Sequence, residues 1–140
     1  MQEFIQFFAH HWFLSGLLVI LLVLLIIEEA RSKGLLDQLS PQEMVQKLNH
    51  ESAVIIDIRN RESFQDGHIV GAVNLPQAEL AKDLSKLNKY KDRPLIIVCL
   101  TGQGAGKLVM QLKKQNFNNI FSLAGGIGAW KRAQMPMVKK

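Results

Sequence analysis

The sequence predicts an α/β domain with a mainly parallel central sheet, preceded by one N-terminal transmembrane helix. Three observations favour this fold class. Short apolar runs that are typical of buried strands alternate with helical patterns throughout residues 35–140. Residues 12–27 form one long apolar run without a charge. About a hundred residues follow this run with the composition of a soluble domain, and that length is enough for a single core.

The N-terminal apolar run favours a retained membrane anchor. A helix over about residues 7–27 would cross a hydrocarbon core of about 30 Å, with Trp12 in the interfacial belt. A cleaved signal peptide is the competing interpretation, and it requires a positively charged start and a small-residue cleavage site. The first ten residues hold no Lys or Arg, and Glu-Glu-Ala-Arg-Ser-Lys follows the run. We therefore expect residues 1–34 to form an anchor and connector, and residues 35–140 to form the domain.

The flanking charges predict the orientation of this anchor. No Lys or Arg precedes the run, whereas Arg31 and Lys33 follow it. Because the positive flank stays in the cytoplasm, the N-terminus should face outward and the domain should face the cytoplasm. A single cysteine agrees with a reducing compartment. The remaining positive charges are scattered, which indicates a solvated face or attraction to anionic lipid headgroups, and nucleic acid is not expected as a partner.

The first elements of the domain begin with a candidate edge strand at residues 35–39. Residues 40–43, Ser-Pro-Gln-Glu, have the form of a capping box with proline at the first helical position, which predicts a helix to about Leu48. The apolar run 53–58 is interrupted only by Asp57, as expected for an interior strand of a parallel sheet.

The alternation continues to the C-terminus. A short helix over residues 60–66 is stopped by a glycine, residues 70–76 predict a short strand, and residues 77–93 are polar and compatible with helix. The apolar run 95–98 predicts a buried strand. The remaining predicted elements are a helix over 106–115, a strand over 120–123, a break at Gly125-Gly126 and a helix over 127–132.

Cys99, the only cysteine, stands directly after the strand 95–98 and before three glycines, Gly102, Gly104 and Gly106. The loop amides and the positive end of the following helix could converge on the sulfur and stabilise its thiolate. A lone cysteine after an apolar strand is also often a small buried hydrophobe, so this stretch alone leaves both interpretations open. Ligands of parallel sheets bind at the carboxyl ends of the strands, which is where Cys99 lies.

Several motifs fall in the order and spacing of a rhodanese domain, over about residues 38–138. They are Asp57-x-Arg59, Glu62, Phe64, Gly67-His68-Ile69-x-Gly71-Ala72-x-Asn74-x-Pro76, Cys99-x-x-Gly102, Phe117, and Leu123-x-Gly125-Gly126 with Trp130. The sequence therefore resembles the rhodanese-like family. One such module behind an N-terminal anchor resembles the small membrane-anchored rhodanese-like proteins of bacteria, which implies a single-pass protein of the bacterial inner (cytoplasmic) membrane.

The resemblance implies sulfurtransferase chemistry at Cys99. The cysteine would take a sulfane sulfur from a donor such as thiosulfate or a persulfide, hold it as a persulfide, and pass it to a thiol or protein acceptor. No cofactor and no metal are implied. The backbone amides of a substrate-binding loop would cradle the outer sulfur. That loop consists of Leu100, Thr101, Gly102, Gln103, Gly104 and Ala105.

The sequence departs from the family pattern at Gly104. Active rhodanese loops usually run Cys-x-x-Gly-x-Arg, and Gly104 stands at the arginine position, so activity toward thiosulfate should be weak or altered. Two functions remain open: the sulfurtransferase or persulfide carrier, and a weak or inactive module that serves as a binding or scaffold domain for integral membrane protein partners. A cysteine phosphatase would need Cys-x5-Arg, but that position holds Ala105. Asp57 and Arg59 are expected mainly to brace the fold, and His68 to be a structural histidine.

Overall fold

The computed structural model of the protein describes residues 1–35, with the backbone alone over 31–35, and residues 37–139. Its contacts divide the chain into two compact units, Met1–Leu35 and Leu36–Lys140.

The N-terminal unit consists of two helices, α1 (Gln2–His10) and α2 (Trp12–Leu35). His11 separates them, because its backbone angles of φ −114° and ψ 41° lie outside the helical region. The expectation of one continuous helix over about residues 7–27 is therefore wrong at both ends, since α1 is a separate helix and α2 continues to Leu35. Within α2, Trp12–Ala30 has 19 residues and a mean hydropathy of 2.5. By length and composition this stretch could cross a membrane, and a signal sequence has the same properties.

The second unit contains seven strands and five α-helices in the part of the chain that the structure describes. The strands are β1 (Gln38–Leu39), β2 (Val54–Asp57), β3 (His68–Ile69), β4 (Val73–Asn74), β5 (Leu95–Val98), β6 (Ile120–Leu123) and β7 (Met137–Val138). The helices are α3 (Pro41–Glu51), α4 (Arg61–Asp66), α5 (Gln77–Lys82), α6 (Gln103–Lys113) and α7 (Gly126–Arg132), with a 3-10 helix at Leu84–Tyr90.

Five strands form one sheet in the order β1-β6-β5-β2-β4, and every neighbouring pair is parallel. The predicted α/β class with a mainly parallel sheet is therefore confirmed, with β5 at the centre. The strand expected over residues 70–76 is only β4, since the chain first forms β3, which pairs antiparallel with β7 in a separate two-stranded sheet. The edge strand expected over 35–39 is β1; residue 35 ends α2, and residue 36 lies outside the described residues.

The side chains of β5 alternate between the two faces of the sheet, as the two-residue repeat of a strand requires. Leu95 and Ile97 belong to the core that α6 covers, whereas Ile96 and Val98 belong to the core on the opposite face. Cys99 continues the first set and packs in the core with α6. The fold thus presents the cysteine side chain to the helix that begins four residues later.

Two helix starts differ in how well their sequences predict them. Ser40 forms the predicted capping box: its Oγ accepts from the amide of Glu43, and Glu43 Oε2 accepts from the amide of Ser40 at 2.8 Å. Helix α3 then continues three residues beyond Leu48. Helix α6 begins at Gln103 and not at Gly106, because Gly102 turns the chain at φ 92° and the following glycines take helical conformation.

Candidate functional site

Cys99 lies at the carboxyl end of the central strand, with its sulfur turned toward backbone amides. The residue is 8% exposed. Its Sγ accepts hydrogen bonds from the amide of Gly102 at 2.9 Å and from the amide of Ala105 at 3.4 Å. Amide donors suit a negatively charged sulfur whereas burial opposes one, so this geometry is compatible with a nucleophilic thiolate and with a packed core residue.

The loop after Cys99 delivers these amides because it enters α6 through a tight turn. Gly102 is the N-cap residue in the left-handed region, and a Cβ there would lie 3.1 Å from the amide nitrogen of Gly125. The positive end of the α6 dipole then faces the sulfur. Among the described residues, none accepts a hydrogen bond from the amides of Gln103 and Gly104, the first two of the helix. These amides remain free to bind an additional negatively charged atom.

The Gly125-Gly126 turn supports the peptide that follows Cys99. A Cβ on Gly126 would lie 2.3 Å from the carbonyl oxygen of Cys99, so only glycine fits this contact. The amide of Ile127 donates to the Cys99 carbonyl at 2.9 Å, and that of Gly128 donates to the Leu100 carbonyl at 3.3 Å. From the sequence this turn is only a break in the chain, yet it fixes the position of the candidate nucleophile.

Asp57 and Arg59 form a buried brace at the end of β2. The Arg59 guanidinium donates to both carboxylate oxygens of Asp57, at 2.7–3.1 Å, and to the carbonyl of Gly67 at 2.7 Å. Asn74 ties the same segment to β4, since its Nδ2 donates to the carbonyls of Asp57 and Arg59 at 3.0 Å. These contacts use the guanidinium within the fold and agree with the expected bracing role.

The imidazole ring of His68 makes its stacking and hydrogen-bond contacts within its own turn. Its ring stacks on Phe64 with centroids 3.8 Å apart, and Nδ1 lies 2.8 Å from the Phe64 carbonyl oxygen. The Gly-His-Ile setting therefore has the structural geometry that its motif indicates. Within the described ranges, no group of three or more His, Cys, Asp or Glu residues could hold a metal ion.

Gly104 lies in the first turn of α6, and its nearest side chain comes from another loop. A Cβ on Gly104 would lie 3.4 Å from Oε1 of Gln77, the first residue of α5. The loop residues Leu100, Thr101 and Gln103 are exposed. The sequence does not predict Gln77 at this position, because no motif links it to Gly104, which lies 27 positions later in the chain.

Comparisons with known proteins agree with this fold and with the resemblance to the rhodanese-like family. The model of the rhodanese-like domain matches residues 40–133. The Escherichia coli K12 protein described as "uncharacterized protein YibN" is 33% identical over 141 residues, which cover 99% of both chains. Thiosulfate sulfurtransferase GlpE of Shewanella oneidensis is 39% identical over 95 residues, or 68% of this chain and 92% of GlpE.

A solved structure extends the agreement to three dimensions. The NMR structure of the rhodanese-like domain from an Anabaena protein superposes with a TM-score of 0.65 at 25% identity, covering 74% of this chain and 80% of that domain.

Proposed function

The chain belongs to the family of rhodanese-like domains, and from this premise we propose that it is a sulfurtransferase that carries sulfane sulfur as a persulfide on Cys99. The observation that supports the proposal most directly is the pair of amide hydrogen bonds from Gly102 and Ala105 to the Cys99 sulfur. A relative of high coverage, GlpE, is named for the same class of reaction.

The first half of the reaction loads the cysteine. The Cys99 thiolate attacks the outer sulfur of the donor, and a new S–S bond forms as the old one breaks. With thiosulfate, sulfite leaves with the electron pair of the broken bond. With a thiol persulfide, the thiolate of the carrier leaves in the same way. In both cases the donor loses one sulfur atom and Cys99 becomes a persulfide, with no external oxidant or reductant.

The second half returns the sulfur to an acceptor. The persulfide carries its negative charge on the outer sulfur, and the unpaired amides at the start of α6 are donors for that charge. An acceptor thiolate then attacks the outer sulfur, becomes a persulfide itself and releases the Cys99 thiolate. The acceptor class is a low-molecular-weight thiol or a protein cysteine.

The proposal includes weak turnover with thiosulfate, because glycine replaces the family's arginine at position 104. Thiosulfate carries two negative charges, and hydrogen bonds from a cationic side chain to an anion are about twice as strong as neutral ones. The nearest side chain to position 104 is the neutral carboxamide of Gln77. The loop thus keeps backbone donors for the transferred sulfur but offers no cation at that position to the rest of an anionic donor.

The test is to weigh the full-length protein in detergent after incubation with thiosulfate or with glutathione persulfide. We expect a mass gain of one sulfur atom from the persulfide, little gain from thiosulfate, and no gain in Cys99→Ser. A gain that persists in Cys99→Ser would overturn the role of this residue. Failure to gain sulfur from either donor would overturn the enzymatic function.

A second candidate is a catalytically weak or inactive module that binds integral membrane proteins. The specific observation in its favour is Leu100, a large apolar side chain in the loop that is 63% exposed. Contiguous apolar patches mark contact surfaces, and Leu100 would supply an apolar contact to such a surface at the loop. This function predicts no sulfur adduct on Cys99, together with capture of a membrane protein that is lost in Leu100→Asp.

We also propose that α2 anchors the protein in the bacterial inner membrane, with the N-terminus outside and the rhodanese-like domain in the cytoplasm. The apolar stretch Trp12–Ala30 supports the anchor because 19 helical residues extend about 28 Å at 1.5 Å per residue. The flanking basic residues, Arg31 and Lys33 after the stretch and no Lys or Arg before it, support the orientation.

A further inference from the structure

The carboxamide of Gln77 lies beside the loop position where the family's arginine is absent. A Cβ on Gly104 would lie 3.4 Å from Oε1 of Gln77 and 3.9 Å from its Nε2. The backbone of Gln77 is held in place, since its amide donates to the carbonyl of Ile58 at 2.9 Å, just after β2. Gln77 therefore approaches the Cys99 loop from an adjacent strand end, on a backbone that the sheet positions.

The Gln77 side chain is available to bind another molecule. It is exposed, and among the described residues none forms a hydrogen bond with its carboxamide. A carboxamide offers one acceptor oxygen and two N–H donors, so it can pair with a peptide group in either direction. It brings no charge, in contrast to the arginine that the family places in this loop.

Charge distinguishes the two donor classes at such a site. The sulfonate end of thiosulfate would lose water next to the neutral Gln77, and its desolvation would not be offset by a cation there. The persulfide group itself carries one negative charge, on the sulfur that is transferred, which goes to the backbone amides of α6. The groups of a peptide-borne persulfide next to that sulfur are carbon and peptide groups, which suit a carboxamide; the charged ends of glutathione lie beyond these peptide groups.

We propose that Gln77 contacts the sulfur donor and selects a persulfide carried on a peptide or protein cysteine over thiosulfate. This inference rests on the proposed sulfurtransferase function. In the transfer, the Cys99 thiolate attacks the outer sulfur of the carrier persulfide, the carrier's S–S bond breaks, and the carrier leaves as a thiolate. The role of Gln77 is to hold the peptide part of the carrier while this exchange occurs.

The experiment compares full-length protein in detergent with Gln77→Leu, using glutathione persulfide and thiosulfate as donors. Leucine keeps the approximate size of glutamine and removes its hydrogen bonds. We expect kcat/KM with glutathione persulfide to fall about five- to tenfold, mainly through KM, since one hydrogen bond contributes about 1 kcal/mol. The low rate with thiosulfate should stay within about twofold. Gln111→Leu is the matched control, because Gln111 is an exposed glutamine on α6, about two helical turns after Gly104 and therefore away from the Cys99 loop.

The results separate the role of Gln77 from the sulfurtransferase function of the protein. Equal losses with both donors, no loss with the persulfide, or the same loss in Gln111→Leu would overturn the assignment of Gln77. Wild-type transfer from both donors through Cys99 without an effect at Gln77 would leave the sulfurtransferase function intact and remove only this inference. Absence of transfer from either donor in the wild type would overturn both.

Discussion

Position 104 can accept a side chain without a shift of the backbone. Gly104 is helical with no positive φ, and a Cβ there would meet only the end of the flexible Gln77 side chain, at 3.4 Å. Its neighbours differ in this respect, since Gly102 has φ 92° and Gly126 would bring a Cβ onto backbone atoms. The absence of the family's arginine is therefore not imposed by packing.

Gly104→Arg should raise kcat/KM with thiosulfate about tenfold or more, because a hydrogen bond to a charged group contributes about 1.5–3 kcal/mol. The measurement is sulfur transfer to cyanide by the full-length variant in detergent. Gly106→Arg is the matched control, since it adds the same charge to the same helix where a Cβ meets nothing within 4 Å. An equal gain in both variants would mean that net charge, and not a local contact, sets the rate.

The residues around Cys99 show what a sequence can and cannot predict at this scale. The capping box of Ser40 and the brace of Asp57 with Arg59 depend on neighbours within three positions, so local spacing predicts them. The contact of Gly126 with Cys99 and that of Gln77 with Gly104 join distant segments that only the parallel sheet brings together. Cys99 itself was identified from its place after a strand, and its catalytic role stays a prediction.

At the scale of elements, the start of α6 and the start of α7 are packed against each other around one peptide. Gly126 opens α7 at φ 59°, directly beneath the Cys99 carbonyl, and the amide of Ile127 donates to that carbonyl. The site is thus held by two helix N-termini and the end of β5. Loss of the glycine at the start of α7 should disturb the loop even though the glycine carries no functional group.

Gly126→Ala should lower the free energy of unfolding by about 3 kcal/mol, as the sum of an overpacked contact and an alanine in the left-handed region. Gly106→Ala should raise it by about 1 kcal/mol, because alanine is the better helix former and has open space there. Thermal unfolding of the full-length variants in detergent measures both. Similar stabilities for the two variants would contradict the close contact at Gly126.

The α4–α5 segment carries a pH-dependent ion pair. The Arg61 guanidinium, which donates to Glu79 at 3.1 Å, holds the pKa of that carboxyl below its ordinary value of 4.5, and Lys86 acts in the same direction. A lowered pKa in the folded state means that the stabilisation is present above that ordinary value and is lost as the pH falls through the folded pKa. Acidification should therefore weaken this segment.

The expected result is that Glu79→Gln loses less thermal stability than the wild type between about pH 6 and pH 3, because the variant has no carboxylate to protonate there. Glu62→Gln is the control, since Glu62 is an exposed glutamate of α4 with no ion-pair partner among the described residues. Equal acid sensitivity of Glu79→Gln and the wild type would contradict a role for this pair. The effect is measured as the difference in Tm between the two pH values.

Element boundaries were predicted well where a capping box or a terminating glycine marks them, and poorly where glycines lie within the first turn of a helix. Helix α3 starts at its capping box, and α4 ends at Gly67 as expected. The predicted start of α6, Gly106, is three residues too late, because two of the first four residues of the helix are glycines, which normally indicate a loop. The β3–β7 pair was not predicted, because no local pattern links two short segments that lie far apart in the chain.

The chain joins an apolar helix to an α/β domain whose central strands β2 and β5 are buried on both faces of the sheet. The prediction for α2 is that it stays on the mature protein as an anchor. Expression of the full chain in Escherichia coli should yield a membrane-bound protein that resists alkaline carbonate extraction and retains its N-terminal peptides by mass spectrometry. A product that lacks those peptides would identify the segment as a cleaved signal sequence.

The parallel sheet accounts for why the overall architecture was predictable while its finer geometry was not. Apolar runs such as Leu95–Val98 determine which segments are interior strands, and their alternation with helices determines that the sheet is parallel. The break at His11, which divides the N-terminal segment into α1 and α2, has no proline or glycine to mark it. The local sequence therefore does not predict the break at this position.

The solitary cysteine sets the lifetime of any persulfide that this chain carries. Cys99 is the only thiol in the sequence, so no second cysteine can attack its inner sulfur, close a disulfide and expel hydrosulfide. The persulfide therefore cannot decay by forming an intramolecular disulfide. Discharge must then follow second-order kinetics, with a rate proportional to the concentration of the outside acceptor, and in the absence of an acceptor the loaded protein should persist unchanged on dilution.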